Sequence, residues 1–532
     1  MNYLFVLILF WCSLQCSVNS AQILVISSMP AHSHYTLAFR LVKELADRNN
    51  QVTFISPYPQ KTQAKNYRDI SIEETIDFTR EFKKTLFELD GMGFIGNKLI
   101  DTELGTGLVE HTFKNSEVQK LLNSDESFDV VIIEHFLNEA LIGIAHHFNA
   151  PVVFLAPVAS CAKNNYLFGN PSPSSYVPDL LGSFTKHMNF WQRLENFLVI
   201  NYNDILREIL YIPKQRELFK KYVKTNLELD DLLYNISLML TTSHPSVTDA
   251  VPHLPNIIEI GGYHVSPPKD LPRDLQEYMD NATDGVVLFS MGSNLKSKDL
   301  TLDVRRSILG AFSKLKEKVL WKFETDLPEA SPNVKVMKWL PQQDILGHPN
   351  IKAFITHGGL LSTIEAVYYG VPIIGIPVFG DQRNNMEAAV SNGYGVSVLL
   401  QDLTEKTFSG ALSEILNNPK YRENVQKRSK LMHDQPVKPI DSAVYWIEHV
   451  IRHKGAPHLR SVATELKWYQ REMIDIIVFL MAVTSVILVT IFLLLKKCVK
   501  LIMYYSKLKK TTSRNKKKNK SKENVNCPLK YS

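Results

Sequence analysis

Cysteine is scarce where a folded body would use it. Cys12 and Cys16 stand near the N-terminus, Cys498 and Cys527 near the C-terminus, and Cys161 is alone between them. A single thiol builds no disulfide framework, so ordinary apolar cores must hold the body, and a disulfide-stapled adhesion ectodomain is disfavoured. Glycine-rich nucleotide signatures are also missing. No G-x-G-x-x-G follows the first strand-like run and no G-x-x-x-x-G-K occurs, which disfavours dehydrogenases and P-loop enzymes. Neither H-E-x-x-H nor a paired-cysteine zinc pattern is present. Positive charge is thin in the body as well. The net charge is +6, but the segment from Lys496 onward holds thirteen Lys or Arg against Glu523 alone, leaving the rest near −6. A nucleic-acid reader would carry its basic face on the folded part, so no nucleic-acid partner is expected.

What remains is a globular composition, 45% hydrophobic and 21% charged, over 532 residues, a length that implies two folded domains plus extras. Residues 1–20 are apolar from Tyr3 to about Trp11 and end in small and polar residues, the pattern of a cleaved secretory signal. Near the other end, residues 476–495 form an uncharged, nearly unbroken apolar run. At about 1.5 Å per helical residue it covers roughly 30 Å, the thickness of a hydrocarbon core. Trp468 and Tyr469 precede it and Lys496 and Lys497 follow at once, which places the basic flank in the cytosol and the body on the lumenal or extracellular side. The lysine run reads as a topology determinant touching anionic lipid; Lys530, third from the end, matches an ER-retrieval address. Asn235-Ile236-Ser237 and Asn281-Ala282-Thr283 fit the N-glycosylation pattern.

Two series of short apolar runs alternate with helical stretches. The first runs through 22–27, 51–56, 129–134, 151–156 and 238–243, the second through 285–290, 318–323, 334–339, 351–356 and 372–377. Residues 36–48 carry Leu37, Leu41 and Leu45 at helical spacing. Such alternation predicts α/β architecture: two Rossmann-like, doubly wound parallel sheets facing across a cleft, joined at the proline-rich stretch 265–274. Ligands of such sheets bind at the strand C-termini. Residues 159–230 read as an insertion framing one side of the cleft. The expected segments are 1–20 signal, 21–264 first domain, 265–455 second domain, 456–475 juxtamembrane, 476–495 membrane helix and 496–532 basic tail.

The densest chemistry lies at 339–385. A strand ends at Thr356, and His357-Gly358-Gly359 opens a helix that runs on through Glu365. Glycines at a strand-to-helix turn let an anion approach the backbone, and a helix start supplies free N–H groups and partial positive charge, so this is a diphosphate site to which His357 adds a donor. Glu365, two turns on, suits ribose hydroxyls; Trp339 offers a flat face for a base; Asp381 and Gln382 suit sugar hydroxyls.

The ordered set W-x-P-Q, T-H-G-G, glutamate and D-Q resembles the signature of the UDP-glycosyltransferase family (UDP-glucuronosyltransferase-like), and the likeness extends along nearly the whole chain, with EHFLNEALIGIAHHFNAP most like insect members. The resemblance implies a GT-B fold with an acceptor-binding first domain and a UDP-sugar-binding second domain. It implies a lumenal body on the endoplasmic reticulum membrane and transfer of a sugar, glucose before glucuronate, to small lipophilic acceptors in detoxification. Trp339 and Gln342 would meet the uracil, Ser293, His357 and Gly359 the diphosphate, Glu365 the ribose, and Asp381 with Gln382 the sugar. Leu361 departs from the asparagine of many vertebrate relatives. The loop after the first strand holds Ser33-His34, which matches the family's base; His34 is favoured over His32. The partner carboxylate, aspartate in the family, corresponds to Glu134, with Glu139 a weaker candidate. Single displacement with inversion and no metal or other cofactor are implied too. A homo-oligomer is compatible with the sequence. The competing reading is a family member with weakened catalysis that binds or carries lipophiles.

Overall fold

The computed structural model describes residues 20–60, 65–84, 86, 87 and 93–523. The signal expected at 1–20 thus lies, apart from Ser20, outside the described residues. The chain divides into two compact units, 1–464 and 465–532.

The first unit holds both sheets, and each is parallel throughout. The first has the order β3-β2-β1-β4-β5-β6-β7, built from β1 (Gln22–Ile26), β2 (Gln51–Ser56), β3 (Tyr67–Ser71), β4 (Val130–Glu134), β5 (Val152–Ala156), β6 (Leu238–Thr241) and β7 (Ile257–Glu259). Every residue of β4, β5 and β6 is buried, as expected for strands covered on both faces. Alternate residues feed two cores. Ile23, Val25, Val130 and Ile132 face one, and Leu24, Ile26, Val131 and Ile133 the other. On the first face lies α1 (His32–Asp47), packed through Leu37, Leu41 and Leu45; α2 (Gly93–Lys114) contributes Val109 and Phe113 to the second. Between β5 and β6 the chain makes four short-to-medium helices, including α3 (Phe190–Leu206), where the insertion was expected.

The second sheet has the order β10-β9-β8-β11-β12-β13, from β8 (Val286–Ser290), β9 (Lys318–Lys322), β10 (Val334–Met337), β11 (Ile351–Thr356), β12 (Ile373–Gly375) and β13 (Gly395–Ser397). Its helices include α4 (Gln342–Leu346), α5 (Leu360–Tyr369) and α6 (Gln382–Ser391). Both sheets have a topological switch point, where consecutive crossovers leave in opposite directions and open a crevice at the strand ends. In the first sheet it lies between β1 and β4, in register at Ile26 and Ile133. In the second it lies between β8 and β11, in register at Ser290 and Thr356.

One helix crosses between the halves. α7 (Pro439–Arg452) follows the second sheet in sequence, yet Ile440, Val444, Ile447 and Val450 join the core of the first sheet beside α1. Burying four aliphatic side chains at about 1.5–3 kcal/mol each makes this a strong strap. Arg48 reinforces it by pairing with Asp441.

The second unit is dominated by α8 (Ile474–Glu523), a helix long and apolar enough over its first half to cross a membrane. The expected span 476–495 falls inside it. Asn235 and Asn281 are both exposed, and Arg460 donates to the Asn235 side chain.

Candidate active site

The two switch points open into one cavity of about 980 Å³, lined from both sheets. Nine of the ten expected site residues line it: His34, Ser293, Trp339, Gln342, His357, Gly359, Glu365, Asp381 and Gln382. The tenth, Glu134, lies behind His34.

α1 begins at His32, four residues earlier than the leucine spacing predicts, so His34 stands on its first turn. His32, Ser33 and His34 line the cleft and extend no apolar stripe, which hides the true start. Glu134, the last residue of β4, is fully buried, and its Oε1 lies 2.8 Å from His34 Nδ1. Ser27 Oγ donates to its other oxygen at 3.4 Å, and the Phe136 ring packs edge-on against the imidazole. With Nδ1 engaged, Nε2 is the nitrogen free for chemistry. Among the described residues His32 has no carboxylate partner: it stacks on Tyr58, and burial, with Lys83 and Lys322 nearby, lowers its pKa. Glu139 is directed elsewhere, accepting from Tyr211 Oη with His135 and Arg207 close by.

On the facing wall, His357 follows β11, and its ring is held between two glycines. A Cβ on Gly292 would meet the ring at 2.6 Å and one on Gly359 at 2.5 Å. Gly292, at φ +80°, also needs the left-handed region. Burial and then the charge of Lys322 push the His357 pKa down to about 4, so the imidazole is neutral near pH 7. α5 starts just beyond. Its first backbone bond runs from Thr363 N–H to the Gly359 carbonyl, 3.0 Å, so the N–H groups of Leu360, Leu361 and Ser362 precede the intrahelical ladder. The helix start therefore presents donors and a positive dipole end beside His357 and Ser293.

Glu365 lies on the same helix, its carboxylate receiving Gln342 Nε2 at 2.5 Å and Gln343 Nε2 at 2.9 Å. Burial raises its pKa and the two amides oppose the rise. Gln342 also donates to Ser362 Oγ at 3.1 Å, so it is tied to Glu365 as well as lining the cavity. Trp339 stands two residues beyond β10 and is 66% exposed, leaving its face open to a planar ligand. Asp381 stands at the N-cap position of α6 without a side-chain capping bond, and its carboxylate accepts from Asn385 Nδ2 at 2.7 Å. Burial raises its pKa, opposed by Asn385 and, more weakly, by the field of His34 on the other wall. Gln382 Oε1 accepts the N–H groups of Val378 and Phe379, which leaves its amide nitrogen as the donating end.

Sequence reasoning passed over three groups. Lys322, at the end of β9, lines the cavity and donates to the Gly292 carbonyl (2.9 Å) and Glu324 (3.1 Å); a cation ending an apolar run was its signal. Gly292 stood in a stretch read only for Ser293. His264, fully buried with Nε2 3.7 Å from Glu365, had no sequence signal.

Comparisons with known proteins show the family. The family model described as "UDP-glucoronosyl and UDP-glucosyl transferase" matches residues 22–514. Among relatives, UDP-glycosyltransferase UGT5 of Dactylopius coccus is 35% identical over 495 residues, covering 91% of this chain and 93% of the relative. UDP-glucuronosyltransferase 2C1 of Oryctolagus cuniculus is 39% identical over 351 residues, 66% of this chain and 68% of the relative. Among solved structures, the calicheamicin glycosyltransferase CalG4 superposes with a TM-score of 0.53 at 17% identity, covering 82% of this chain and all (100%) of that one, which supports the GT-B fold. With the match spanning nearly its full length, the chain belongs to the UDP-glucuronosyl and UDP-glucosyl transferase family and is a glycosyltransferase.

Proposed function

We propose that this enzyme transfers a hexose, glucose before glucuronate, from its UDP-sugar to a hydroxyl of small lipophilic acceptors. The observation that carries the mechanism is the His34–Glu134 pair, 2.8 Å apart, on the cavity wall opposite the start of α5. His34 Nε2 takes the acceptor proton as the acceptor oxygen attacks C1, and the buried Glu134 carboxylate stabilises the imidazolium that forms. The C1–O bond to UDP breaks, with inversion. The charge gathering on the diphosphate meets the α5 amides, neutral His357 as donor, Ser293 and Lys322. Trp339 and Gln342 hold the uracil, Glu365 the ribose, and Asp381 with Gln382 the sugar. No metal or other cofactor enters this scheme.

The apolar helix and the basic segment after it support a membrane-anchored enzyme with its body in the lumen of the endoplasmic reticulum. Relatives named for glucosyl transfer and for glucuronosyl transfer both match, and the insect glucosyltransferase UDP-glucosyltransferase 2 of Dactylopius coccus supports glucose as donor. The test is a matrix of UDP-glucose, UDP-glucuronate and UDP-galactose against a panel of phenols and alcohols, using membranes that contain the full chain. Turnover highest with UDP-glucose is expected. Intact UDP binding with no turnover in any cell of the matrix would replace the reading with a lipophile carrier.

A further inference from the structure

Charged groups that the sugar transfer does not use line the first-sheet side of the cavity. They are Lys98 and Asp101 on α2, Lys163 on the short helix Ala162–Leu167, and Arg207 just past α3. Lys163 follows β5, which runs beside β4 with Leu155 opposite Glu134, so it stands at the same end of the sheet as the base. An apolar wall lies between the two. Phe136 packs on the His34 ring with centroids 4.8 Å apart, and Phe136 and Leu104 pack against Leu137 and Tyr211. Lys163 Nζ lies 5.9 Å from the centre of the Tyr211 ring. Leu104, Phe136 and Leu137 line the cavity themselves, so it runs from an imidazole along apolar side chains to an ammonium.

Burying a charge is costly unless the charge is paired. The neighbours of Lys163 are paired. Lys98 Nζ lies 3.3 Å from Asp101 Oδ2, and Arg207 Nη1 donates to Glu208 at 2.6 Å. Arg207 also lies 3.8 Å from the fully buried Glu139, which accepts from Tyr211 Oη. Among the described residues Lys163 has no carboxylate at ion-pair distance. Burial lowers its pKa; Glu139 and Asp101 oppose the fall, while Lys98 and Arg207 add to it. Two charges of each sign cancel in number, which leaves that of Lys163 as the surplus. Asp179 and Asp204 line the cavity too, but Asp179 already accepts the Leu181 N–H at 3.0 Å, and burial raises the pKa of both.

Within the acceptor reading above, on which this rests, we propose that Lys163 anchors a subsite for an anionic group of the acceptor. The preferred acceptors are then amphipathic acids: a hydroxyl at one end, an apolar or aromatic body, and a carboxylate at the other end. The hydroxyl meets His34 Nε2, the body lies along Leu104, Phe136 and Leu137, and the carboxylate pairs with the Lys163 ammonium in a charge-assisted bond. A neutral lipophile of the same shape leaves that ammonium unpaired, so the site selects against it as well as for the acid. Lys163 touches no reacting atom; it determines specificity through binding.

The experiment uses the purified full chain in lipid nanodiscs, wild type and Lys163→Met, with a hydroxybiphenyl carboxylic acid whose two groups stand at opposite ends, and with its methyl ester. Calorimetric titration without UDP-sugar, empty nanodiscs subtracted, gives the affinity for each. The wild type should bind the acid roughly tenfold or more tighter than the ester. Lys163→Met should lose that preference through weaker binding of the acid, with ester binding unchanged, which also shows that the variant folds. In turnover the KM of the acid should rise by a similar factor and kcat should hold. Equal wild-type affinity for acid and ester overturns the proposal. So does a substitution that weakens both compounds alike, the mark of a merely structural lysine. Turnover of the ester with exclusion of the acid sinks the subsite and leaves sugar transfer standing. Lysine-dependent binding of the acid without turnover of either compound supports the subsite and sinks the sugar-transfer reading.

Discussion

His34 and Glu134 stand 100 positions apart in sequence and 2.8 Å apart in space, because β1 and β4 are neighbours whose C-terminal ends open the same crevice. The glutamate, expected in place of an aspartate, reaches the imidazole with its longer side chain. Glu134→Gln keeps size and removes charge; kcat should fall roughly tenfold or more while UDP affinity holds, as measured by steady-state kinetics and calorimetric UDP binding. Gly292→Ala forces a methyl toward the His357 ring at a left-handed position, so UDP binding should weaken with the protein still folded. His264 offers a test by pH. Burial lowers its folded pKa to about 4 from the usual 6.5, so the unfolded chain binds its proton first as pH falls. Stability contributed by neutral His264 is present above 6.5 and is lost as pH drops toward 4. Denaturant unfolding of the wild type against His264→Asn should show the difference shrinking across that window, with a slope of at most about 1.4 kcal/mol per pH unit. That the residues of the facing wall gather at one cavity was legible, for His357, Gly359 and Glu365 from their spacing at a strand-to-helix turn and for Ser293 and Gln342 from the family resemblance alone. Lys322 left only the mark of a cation ending an apolar run and His264 none, since the place of each depends on neighbours that tertiary folding supplies.

At the scale of elements, the apolar strands were legible, the edge strand β10 among them at 334–339, and the other three edges were not. β3 (YRDIS) has one buried residue of five, while β7 and β13 span three residues each, too short for a periodic signal. α7 was not singled out in the sequence, and nothing in its apolar stripe tells which sheet it covers. Its five buried residues, Ala443 among them, sit against the first sheet, so the strap couples the halves energetically. Ile447→Ala, at a fully buried position, should cost about 2–5 kcal/mol in denaturant unfolding and should destabilise the first half although the residue follows the second in sequence.

Over the whole molecule, the proposed reaction is divided between two parallel-sheet lobes, the second to hold the leaving group and the first the base. Ligand linkage follows. UDP at about 100 times its Kd should stabilise the folded body by about 2.7 kcal/mol, and uridine at the same concentration far less, because the α5 amides and His357 act on the diphosphate. The most direct test of the division itself is His34→Ala, assayed in parallel for UDP affinity and for turnover of UDP-sugar with a phenol. A loss of kcat/KM of roughly 10²–10⁴-fold with UDP affinity unchanged is the predicted result. Wild-type turnover in that variant, or UDP affinity falling along with it, would contradict the placement of base and donor on opposite walls.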